Sequence, residues 1–214
     1  MTKIKIIILD FDGTLGDTTA VITRTTQATI KEMGLPARTD GECASMIGLR
    51  LVEIPPVLFP GCDVDVELYA QTYRRLFHEF NVEGAVELYP GVMDTLKELK
   101  SRGLYLTIAS SRSNASLMHY VENLEMASLI TYVLGANDVK EGKPSPEAVH
   151  RTLENFGLRA DEAIVVGDTT FDIQMGKKAG TYTCGVTYGN GSRESMADAD
   201  WLIDSFTDLL KIVK

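Results

Sequence analysis

The stretch IKIIILDFDGTL, residues 4–15, combines an apolar run with two closely spaced carboxylates. The run at residues 4–9 is typical of a strand buried in a parallel sheet, and Gly13 favours a turn after it. Asp10 and Asp12 are therefore expected at the carboxyl edge of the sheet, where open α/β folds bind ligands. One carboxylate can attack a substrate while the other moves protons, if their environments differ. Aspartates after strands also cap helices and form turns, so this stretch needs support from the rest of the chain.

Three later segments supply further parts of a phosphate site, and each follows an apolar run. They contribute a hydroxyl, a cation and two more carboxylates. They are Ser110 after residues 104–109, Lys143 before Pro144, and the segment GDTTFD at residues 167–172 after residues 163–166. Because the carboxyl ends of parallel strands meet at one edge of a sheet, these residues can converge on a single crevice.

In order and chemistry, these residues resemble the four motifs of the haloacid dehalogenase superfamily, and within it the phosphoglycolate phosphatase-like branch. The resemblance covers nearly the whole chain. Motif one is matched from Asp10 as Asp-x-Asp-Gly-Thr-Leu, motif two by Ser110, motif three by Lys143, and motif four from Gly167 as Gly-Asp-x-x-x-Asp. The resemblance implies a Rossmann-like α/β core with helices on both faces and an inserted helical cap. It also implies Mg²⁺-dependent hydrolysis of a small phosphorylated metabolite, with phosphoglycolate as the leading substrate.

The resemblance implies a role for each motif residue. Asp10 is the expected nucleophile, which becomes an aspartyl phosphate, and Asp12 is the expected acid and base. Lys143 is expected to pair with Asp10 and with phosphoryl oxygens, although a lone lysine in a turn is usually solvated. Ser110 offers a hydroxyl near a helix start, where it can also be a turn or capping residue. The implied Mg²⁺ ligands are the carboxylates of Asp10 and Asp168 and the backbone carbonyl of Asp12, because Mg²⁺ prefers oxygen ligands.

Asp172 lies one helical turn from Asp168 and is expected to support the metal site. We expect it to orient Lys143 or a metal-bound water more readily than to bind the ion directly. An acid that stabilises a helix N-terminus is the alternative. The candidates for substrate binding are Gly13, Thr14, Ser111, Arg50 and Arg112. The guanidinium of Arg50 can bind a second anionic group on the substrate. The alternative, that Arg50 is a surface arginine at the start of a helix, is equally compatible with the sequence.

Composition excludes several other classes of protein. The chain has 214 residues, enough for a full core domain and a small accessory domain. Its formal net charge of −9 argues against nucleic-acid binding, which requires an excess of Lys and Arg. The first apolar run is too short for a signal peptide, and no stretch approaches the roughly 20 apolar residues of a membrane span. We expect a cytoplasmic enzyme, monomeric or homodimeric, with reduced thiols at Cys43, Cys62 and Cys184.

The periodicity of the sequence divides the chain into two expected domains. Residues 1–15 and 86–214 alternate between strand and helix patterns, which predicts a mostly parallel sheet covered by helices. Residues 16–85 have helical spacing and are expected to form the all-helical cap. The expected strands are residues 4–9, 104–109, 130–134, 163–166, 182–186 and 201–203. The expected helices are residues 18–33, 40–47, 50–58, 63–80, 92–101, 114–123 and 146–156.

Departures within the superfamily narrow the expected reaction. Dehalogenases lack the second carboxylate of motif one, whereas Asp12 is present here. Relatives that act as β-phosphoglucomutases carry a cap histidine at the position of Ile22. Phosphonate-cleaving relatives use a cap lysine, for which the first cap helix offers only Lys31 near its end. The alternatives to a phosphomonoesterase are a pyrophosphatase or β-phosphoglucomutase-like phosphotransferase, and a non-catalytic phosphate-binding regulator.

Overall fold

A six-stranded parallel sheet forms the centre of the computed structural model, which describes residues 3–82 and 84–213. In chain order, the strands are β1 (Ile6–Leu9), β2 (Gly16–Asp17), β3 (Glu87–Leu88), β4 (Tyr105–Ala109), β5 (Tyr132–Leu134), β6 (Ala163–Gly167), β7 (Tyr182–Val186) and β8 (Trp201–Ile203). Two of them, β2 and β3, form a separate pair. The spatial order in the sheet is β5-β4-β1-β6-β7-β8, and each neighbouring pair is parallel. The expected α/β fold with a mostly parallel sheet is confirmed.

Helices cover both faces of this sheet and also fill the chain between β2 and β3. They are α1 (Thr19–Glu32), α2 (Asp40–Ala44), α3 (Ile54–Leu58), α4 (Val66–Phe80), α5 (Val92–Ser101), α6 (Asn114–Asn123), α7 (Glu147–Phe156), α8 (Thr170–Ala179) and α9 (Leu209–Ile212). Local signals set several of their ends. The Ser113 side chain accepts a hydrogen bond from the Ser116 amide and caps α6. Gly157 ends α7 in the left-handed conformation.

The two faces of the sheet have separate hydrophobic cores, because successive side chains of a strand point to opposite faces. Ile7 and Leu9 of β1 pack in one cluster with residues of α5 and α6. Ile6 and Ile8 pack in another with residues of α7 and α8. All four side chains of β1 are fully buried, and burying each one stabilises the fold by about 1.5–3 kcal/mol. This burial on both faces explains the unbroken apolar run that precedes Asp10.

Strand β1 lies where the order of the strands reverses. Its neighbours are β4 on one side and β6 on the other, and Leu9 is in register with both Ile108 and Val166. Open α/β sheets bind ligands outside the carboxyl ends of their strands at such a point. Asp10 follows β1 directly, so it lies between the loops that leave β4 and β6.

The helices between β2 and β3 have a hydrophobic cluster of their own. Ile30 of α1, Phe59 after α3 and Tyr69 of α4 are buried in it. Strands β2 and β3 form a separate antiparallel pair, with Gly16 opposite Leu88. The chain therefore leaves the sheet region and returns to it at one place. We call the residues from α1 to α4, 19–80, the helical segment.

The sheet matches the sequence prediction more closely than the helical segment does. The expected helix at residues 50–58 is a 3₁₀ turn at Leu51–Glu53 followed by α3, and the helix expected from residue 63 begins only at Val66. Strands β2 and β3 and helices α8 and α9 are absent from the expected ranges, and the two strands and α9 have too few residues to show a periodic pattern. The expected domain bounds include residues 1, 2, 83 and 214, which lie outside the described residues. Across the described ranges, no helix is both long and apolar enough to cross a membrane.

Candidate active site

Loops at the carboxyl edge of the sheet bring the motif residues together. Asp10 leaves β1, and its backbone amide donates to the Val166 carbonyl oxygen at 2.9 Å. Ser110 leaves β4, and its amide donates to the Leu134 carbonyl oxygen at 3.0 Å. Asp168 directly follows β6, and all three side chains of these loop residues are buried. The sheet thus fixes the backbone from which the predicted site residues project.

Lys143 bridges two carboxylates of the site. Its Nζ lies 2.6 Å from Asp10 Oδ1 and 2.6 Å from Asp172 Oδ1. The other oxygen of Asp172 accepts hydrogen bonds from the Thr169 amide at 3.1 Å and hydroxyl at 2.7 Å. Burial acts to lower the pKa of Lys143, but the charges of Asp10 and Asp172 outweigh it and the net shift is upward. The geometry holds a charged ammonium against Asp10.

The carboxylates of Asp10, Asp168 and Asp172 form a buried cluster, in which one oxygen from each residue lies within 4.8 Å of the other two. Burial raises the pKa of Asp10 to about 8, although Lys143 opposes the shift and the neighbouring carboxylates add to it. Burial and the charge of Asp172 raise the pKa of Asp168 to about 6, against hydrogen bonds from Asn190. A divalent cation among these oxygens would favour the ionised carboxylates. An oxygen-only, acidic donor set fits a hard cation such as Mg²⁺.

Asn190 orients Asp168, although none of the sequence motifs predicts this residue. Its backbone amide donates to Asp168 Oδ2 at 2.7 Å and its side-chain amide donates to the same atom at 3.0 Å. The Thr19 hydroxyl in turn donates to Asn190 Oδ1 at 2.9 Å. The only sequence signal is the GNG stretch at residues 189–191, which is also typical of an ordinary turn.

Gly13 allows the loop after β1 to approach Asp168 closely. Its φ is +80°, and a Cβ atom at this position would lie 2.1 Å from Asp168 Oδ2. Only glycine adopts this conformation without strain and leaves that space free. The adjacent Thr14 hydroxyl donates to Asp168 Oδ1 at 3.3 Å. The structure therefore places Gly13 and Thr14 against Asp168, and their role in substrate binding stays a prediction.

Arg112 binds Asp12 through two hydrogen bonds. Nε lies 3.1 Å from Asp12 Oδ2 and Nη2 lies 2.6 Å from Oδ1. The guanidinium carbon lies 4.9 Å from the ring centroid of Phe77 and 5.1 Å from that of Tyr120. Because Phe77 belongs to α4, Arg112 connects Asp12 with the helical segment. The sequence predicted that this arginine binds substrate, whereas here its charged group is engaged by a carboxylate of the protein.

A loop of the helical segment contacts the loops of the sheet through two other predicted substrate-binding residues. Ser111 Oγ donates to the Gly48 carbonyl oxygen at 2.5 Å. Arg50 Nη1 donates to the Lys140 carbonyl oxygen at 3.0 Å, and Arg50 Nη2 lies 2.9 Å from Glu53 Oε1. Both residues line the same cavity as Asp10. Their polar atoms are engaged by protein groups, and their contact with a substrate stays a prediction.

A cavity of about 480 Å³ separates the motif residues from the helical segment. Asp10, Asp12 and Ser110 line it on the side of the sheet, and Arg112 lines it beside Asp12. Lys143 is almost completely buried behind Asp10. A substrate in this cavity can therefore reach the two carboxylates of motif one.

The parallel sheet, with carboxylates, a lysine and a hydroxyl at its carboxyl edge, defines an α/β enzyme with a site for a phosphoryl group. The profile of the haloacid dehalogenase-like hydrolases matches residues 7–186. The chain belongs to this family. The resemblance found in the four motifs is thereby confirmed.

Individual relatives agree with this assignment. The phosphoglycolate phosphatase of Aliivibrio fischeri is 30% identical over 98% of this chain and 96% of its own length. The pyrophosphatase PpaX of Listeria innocua is 30% identical over 99% of this chain and 97% of its own length. A crystal structure of a predicted phosphoglycolate phosphatase from Haemophilus somnus is 25% identical, covers 100% of both chains and has a TM-score of 0.87. The protein is a phosphatase, and the family's general use of a metal ion agrees with the buried aspartate cluster.

Proposed function

We propose that this phosphatase hydrolyses phosphomonoesters of small organic molecules through a phosphorylated Asp10, with Mg²⁺ bound beside it. The observation that carries the proposal is the position of Asp10, which faces the cavity while Lys143 Nζ lies 2.6 Å from its Oδ1. Asp12 lines the same cavity two residues further on. Asp10 is thus the proposed nucleophile and Asp12 the separate acid and base, as a double-displacement hydrolysis requires.

In the first half-reaction, an Asp10 oxygen forms a bond to phosphorus while the bond from phosphorus to the leaving oxygen breaks. Asp12 gives its proton to that leaving oxygen. In the second half-reaction, water attacks phosphorus and Asp12 takes a proton from the water. The bond from phosphorus to the Asp10 oxygen breaks, which frees the Asp10 carboxylate and forms inorganic phosphate. Both oxygens of Asp12 accept hydrogen bonds from Arg112 in the structure. Each oxygen keeps a second lone pair, through which Asp12 can exchange a proton with a leaving group or a water in the cavity.

Lys143 and Ser110 are proposed to stabilise the phosphoryl group. The ammonium of Lys143 offsets the negative charge that builds on the phosphoryl oxygens, and it acts strongly because water is excluded around it. The Ser110 hydroxyl lines the cavity, where it can donate to another phosphoryl oxygen. Asp172 acts on the reaction through the Lys143 ammonium that it holds.

The buried aspartates are proposed to hold Mg²⁺. Asp10 and Asp168 would supply carboxylate oxygens, Asp12 its backbone carbonyl oxygen, and Asp172 a supporting contact. When bound, the ion neutralises phosphoryl charge and so lets an anionic nucleophile approach phosphorus. The upward pKa shifts of Asp10 and Asp168 support the proposal, because burial and the neighbouring carboxylates disfavour their ionised forms and a bound cation would offset both effects.

Residues 16–85 are proposed to act as a cap domain over this site, with residues 1–15 and 86–214 as the catalytic domain. The contacts of Gly48 and Arg50 with the sheet loops support a role of the cap in substrate choice. The names of the relatives favour phosphoglycolate or pyrophosphate as candidate substrates. A mutase-type transfer is less well supported, since Ile22 stands where mutases carry a histidine. A cytoplasmic monomer or homodimer without nucleic-acid or membrane partners remains the expected setting.

The proposal is tested by phosphate release from a panel of phosphoglycolate, pyrophosphate, mononucleotides and sugar phosphates, with Mg²⁺ or with a chelator. Asp10→Asn is the blank, and Asp17→Asn, which changes an exposed acid outside the cavity, is its matched control. We expect release that requires Mg²⁺, that persists in Asp17→Asn and that is absent from Asp10→Asn. Substantial turnover by a pure, folded Asp10→Asn protein would refute the proposed role of Asp10 as the nucleophile. Phosphate binding without hydrolysis of any member of the panel would favour the alternative of a non-catalytic phosphate-binding regulator.

A further inference from the structure

The cavity beside Asp10 is larger than a phosphate site requires. Its volume of about 480 Å³ lies within the range of about 300–1,000 Å³ in which proteins bind drug-sized ligands. Asp10, Asp12 and Ser110 line only the part next to the sheet. A two-carbon leaving group, as in phosphoglycolate, would occupy the space near these residues and leave the remainder to water.

Most of the remaining lining is apolar and comes from the helical segment, although Ser113, Ser116 and Asn137 line the cavity on the side of the sheet. The apolar walls include Ile22, Met46, Ile47, Leu49, Leu51 and Phe77. Apolar walls gain free energy when they cover an apolar ligand and water leaves both surfaces. A charged ligand group against the same walls would lose its hydration without gaining a partner.

The arginines that line the cavity have partners within the protein, so far as the described residues show. Arg112 makes two hydrogen bonds to Asp12, and Arg50 is paired with Glu53. Arg74 has a side chain that is 60% exposed to solvent and lies 3.9 Å from a glutamate of the same helix. A carboxylate on the leaving group would share Arg50 or Arg112 with the partner that each already has, or would reach Arg74 near solvent. Because Glu53 and Asp12 already neutralise part of the charge of these two arginines, their attraction for a further carboxylate is reduced.

We propose that the preferred substrate is the phosphomonoester of an uncharged, apolar alcohol, whose alkyl or arylalkyl group fills the cavity between Phe77 and Leu49. This inference rests on the proposed function and narrows its substrate class. The chemistry is unchanged. The bond from phosphorus to the alcohol oxygen breaks, that oxygen receives a proton from Asp12, and water regenerates Asp10. The products are the apolar alcohol and inorganic phosphate.

The test compares kcat/KM for ethyl, butyl, hexyl and 2-phenylethyl phosphate with kcat/KM for phosphoglycolate, all with Mg²⁺. The alkyl and arylalkyl esters have leaving groups of similar basicity, so differences between them report on binding in the cavity. A fully buried methylene is worth about fourfold in affinity. We therefore expect kcat/KM to rise at least about tenfold from ethyl to hexyl phosphate, with phosphoglycolate below hexyl phosphate.

Two valine variants distinguish weaker substrate binding in the cavity from a general effect of a surface substitution. Val52 is 41% exposed and lines the cavity, whereas Val57 is 54% exposed and belongs to α3 outside the lining. Val52→Asn should raise KM for hexyl phosphate about threefold or more, since its amide reduces the apolar wall. The KM for ethyl phosphate should rise less than the KM for hexyl phosphate. Val57→Asn should leave both esters unchanged.

The outcomes distinguish this inference from the proposed function. A rising series with phosphoglycolate below hexyl phosphate supports an apolar leaving group. A flat series, or a kcat/KM for phosphoglycolate that matches or exceeds that for hexyl phosphate, overturns the inference and leaves the phosphomonoesterase intact. If no ester is hydrolysed faster than by Asp10→Asn, the proposed function fails and the inference fails with it.

Discussion

The Nζ atom of Lys143 lies 2.6 Å from Oδ1 of Asp10, and both side chains are only 4% exposed. The same ammonium contacts Asp172, so one lysine neutralises part of the charge of two buried carboxylates. Removing one partner of a buried ion pair typically costs about 3–5 kcal/mol, because the remaining charge loses its compensation. Lys143 is therefore expected to matter for stability as well as for catalysis.

Lys143→Met is predicted to lower kcat by at least about a hundredfold, because the transition state loses its main protein cation. Thermal unfolding should also shift to lower temperature. Steady-state kinetics and differential scanning calorimetry measure the two effects. The control is Lys178→Met, which removes an exposed lysine of α8. A kcat close to that of the wild type, in a folded Lys143→Met protein, would contradict the assigned role.

Asp12→Asn is predicted to lower kcat by about 10²–10⁴-fold, the range of a lost general acid and base. An ester with an acidic leaving group, such as 4-nitrophenyl phosphate, needs little protonation in the first half-reaction. The second half-reaction still needs a base, so this variant should release a burst of nitrophenol and then turn over slowly. Rapid-quench kinetics measure the burst. A change in KM alone would assign Asp12 to substrate binding instead.

Asp172→Asn is predicted to reduce kcat about 10–100-fold, as expected when a group that orients a catalytic residue is weakened. Its carboxylate contacts Lys143 and the Thr169 backbone, so its charge acts mainly on the lysine. Mg²⁺ affinity should change far less than in Asp168→Asn. Titration of activity against Mg²⁺ gives both affinities. Equal losses of Mg²⁺ affinity in the two variants would make Asp172 a direct ligand.

The stability of the metal-free protein is predicted to fall as pH rises. The pKa of Asp10 is raised to about 8 in the folded protein, whereas an unfolded aspartate titrates near about 3.9. Between these values the folded state binds more protons than the unfolded state, so deprotonation favours unfolding. The Tm should therefore fall from about pH 5 to pH 8, by an amount that is smaller in Asp10→Asn.

Mg²⁺ is predicted to raise the Tm more at pH 8 than at pH 5, because protons compete with the ion for the same carboxylates. A stabilisation of about 1 kcal/mol corresponds to about 2–4 °C for a chain of this size. Differential scanning fluorimetry at both pH values measures the effect, with Asp168→Asn as the variant that lacks a proposed ligand. An Mg²⁺ effect that is independent of pH, or that persists fully in Asp168→Asn, would remove the aspartate cluster as the metal site.

The sequence predicted the sheet well because buried strands carry a strong and local signal. The apolar runs before Asp10, Ser110 and Asp168 correspond to β1, β4 and β6, and their ends meet as expected. Helix α6 runs from Asn114 to Asn123, as predicted, because Ser113 caps it. Here the local pattern and the tertiary structure favour the same element.

Partners that are distant in sequence were not predictable in the same way. Asn190 reaches Asp168 from a loop after β7, and its stretch has the composition of any turn. The contact of Arg112 with Asp12 was not predicted, because a guanidinium binds whichever carboxylate the fold brings near; its binding of substrate stays a prediction. Arg50 has Glu53 three residues away, a pair that local spacing permits but does not require.

The chain enters and leaves the helical segment at one place, where β2 and β3 form an antiparallel pair. Gly16 lies opposite Leu88, so the two ends of the inserted stretch are neighbours in space although many residues separate them along the chain. The pairing of β1 with β4 and β6 lies outside this stretch, whereas Thr19 within it contacts Asn190 beside Asp168. An exchange of the inserted stretch would therefore change the helical walls of the cavity and the Thr19 contact together, and would leave the central strand pairs outside the change.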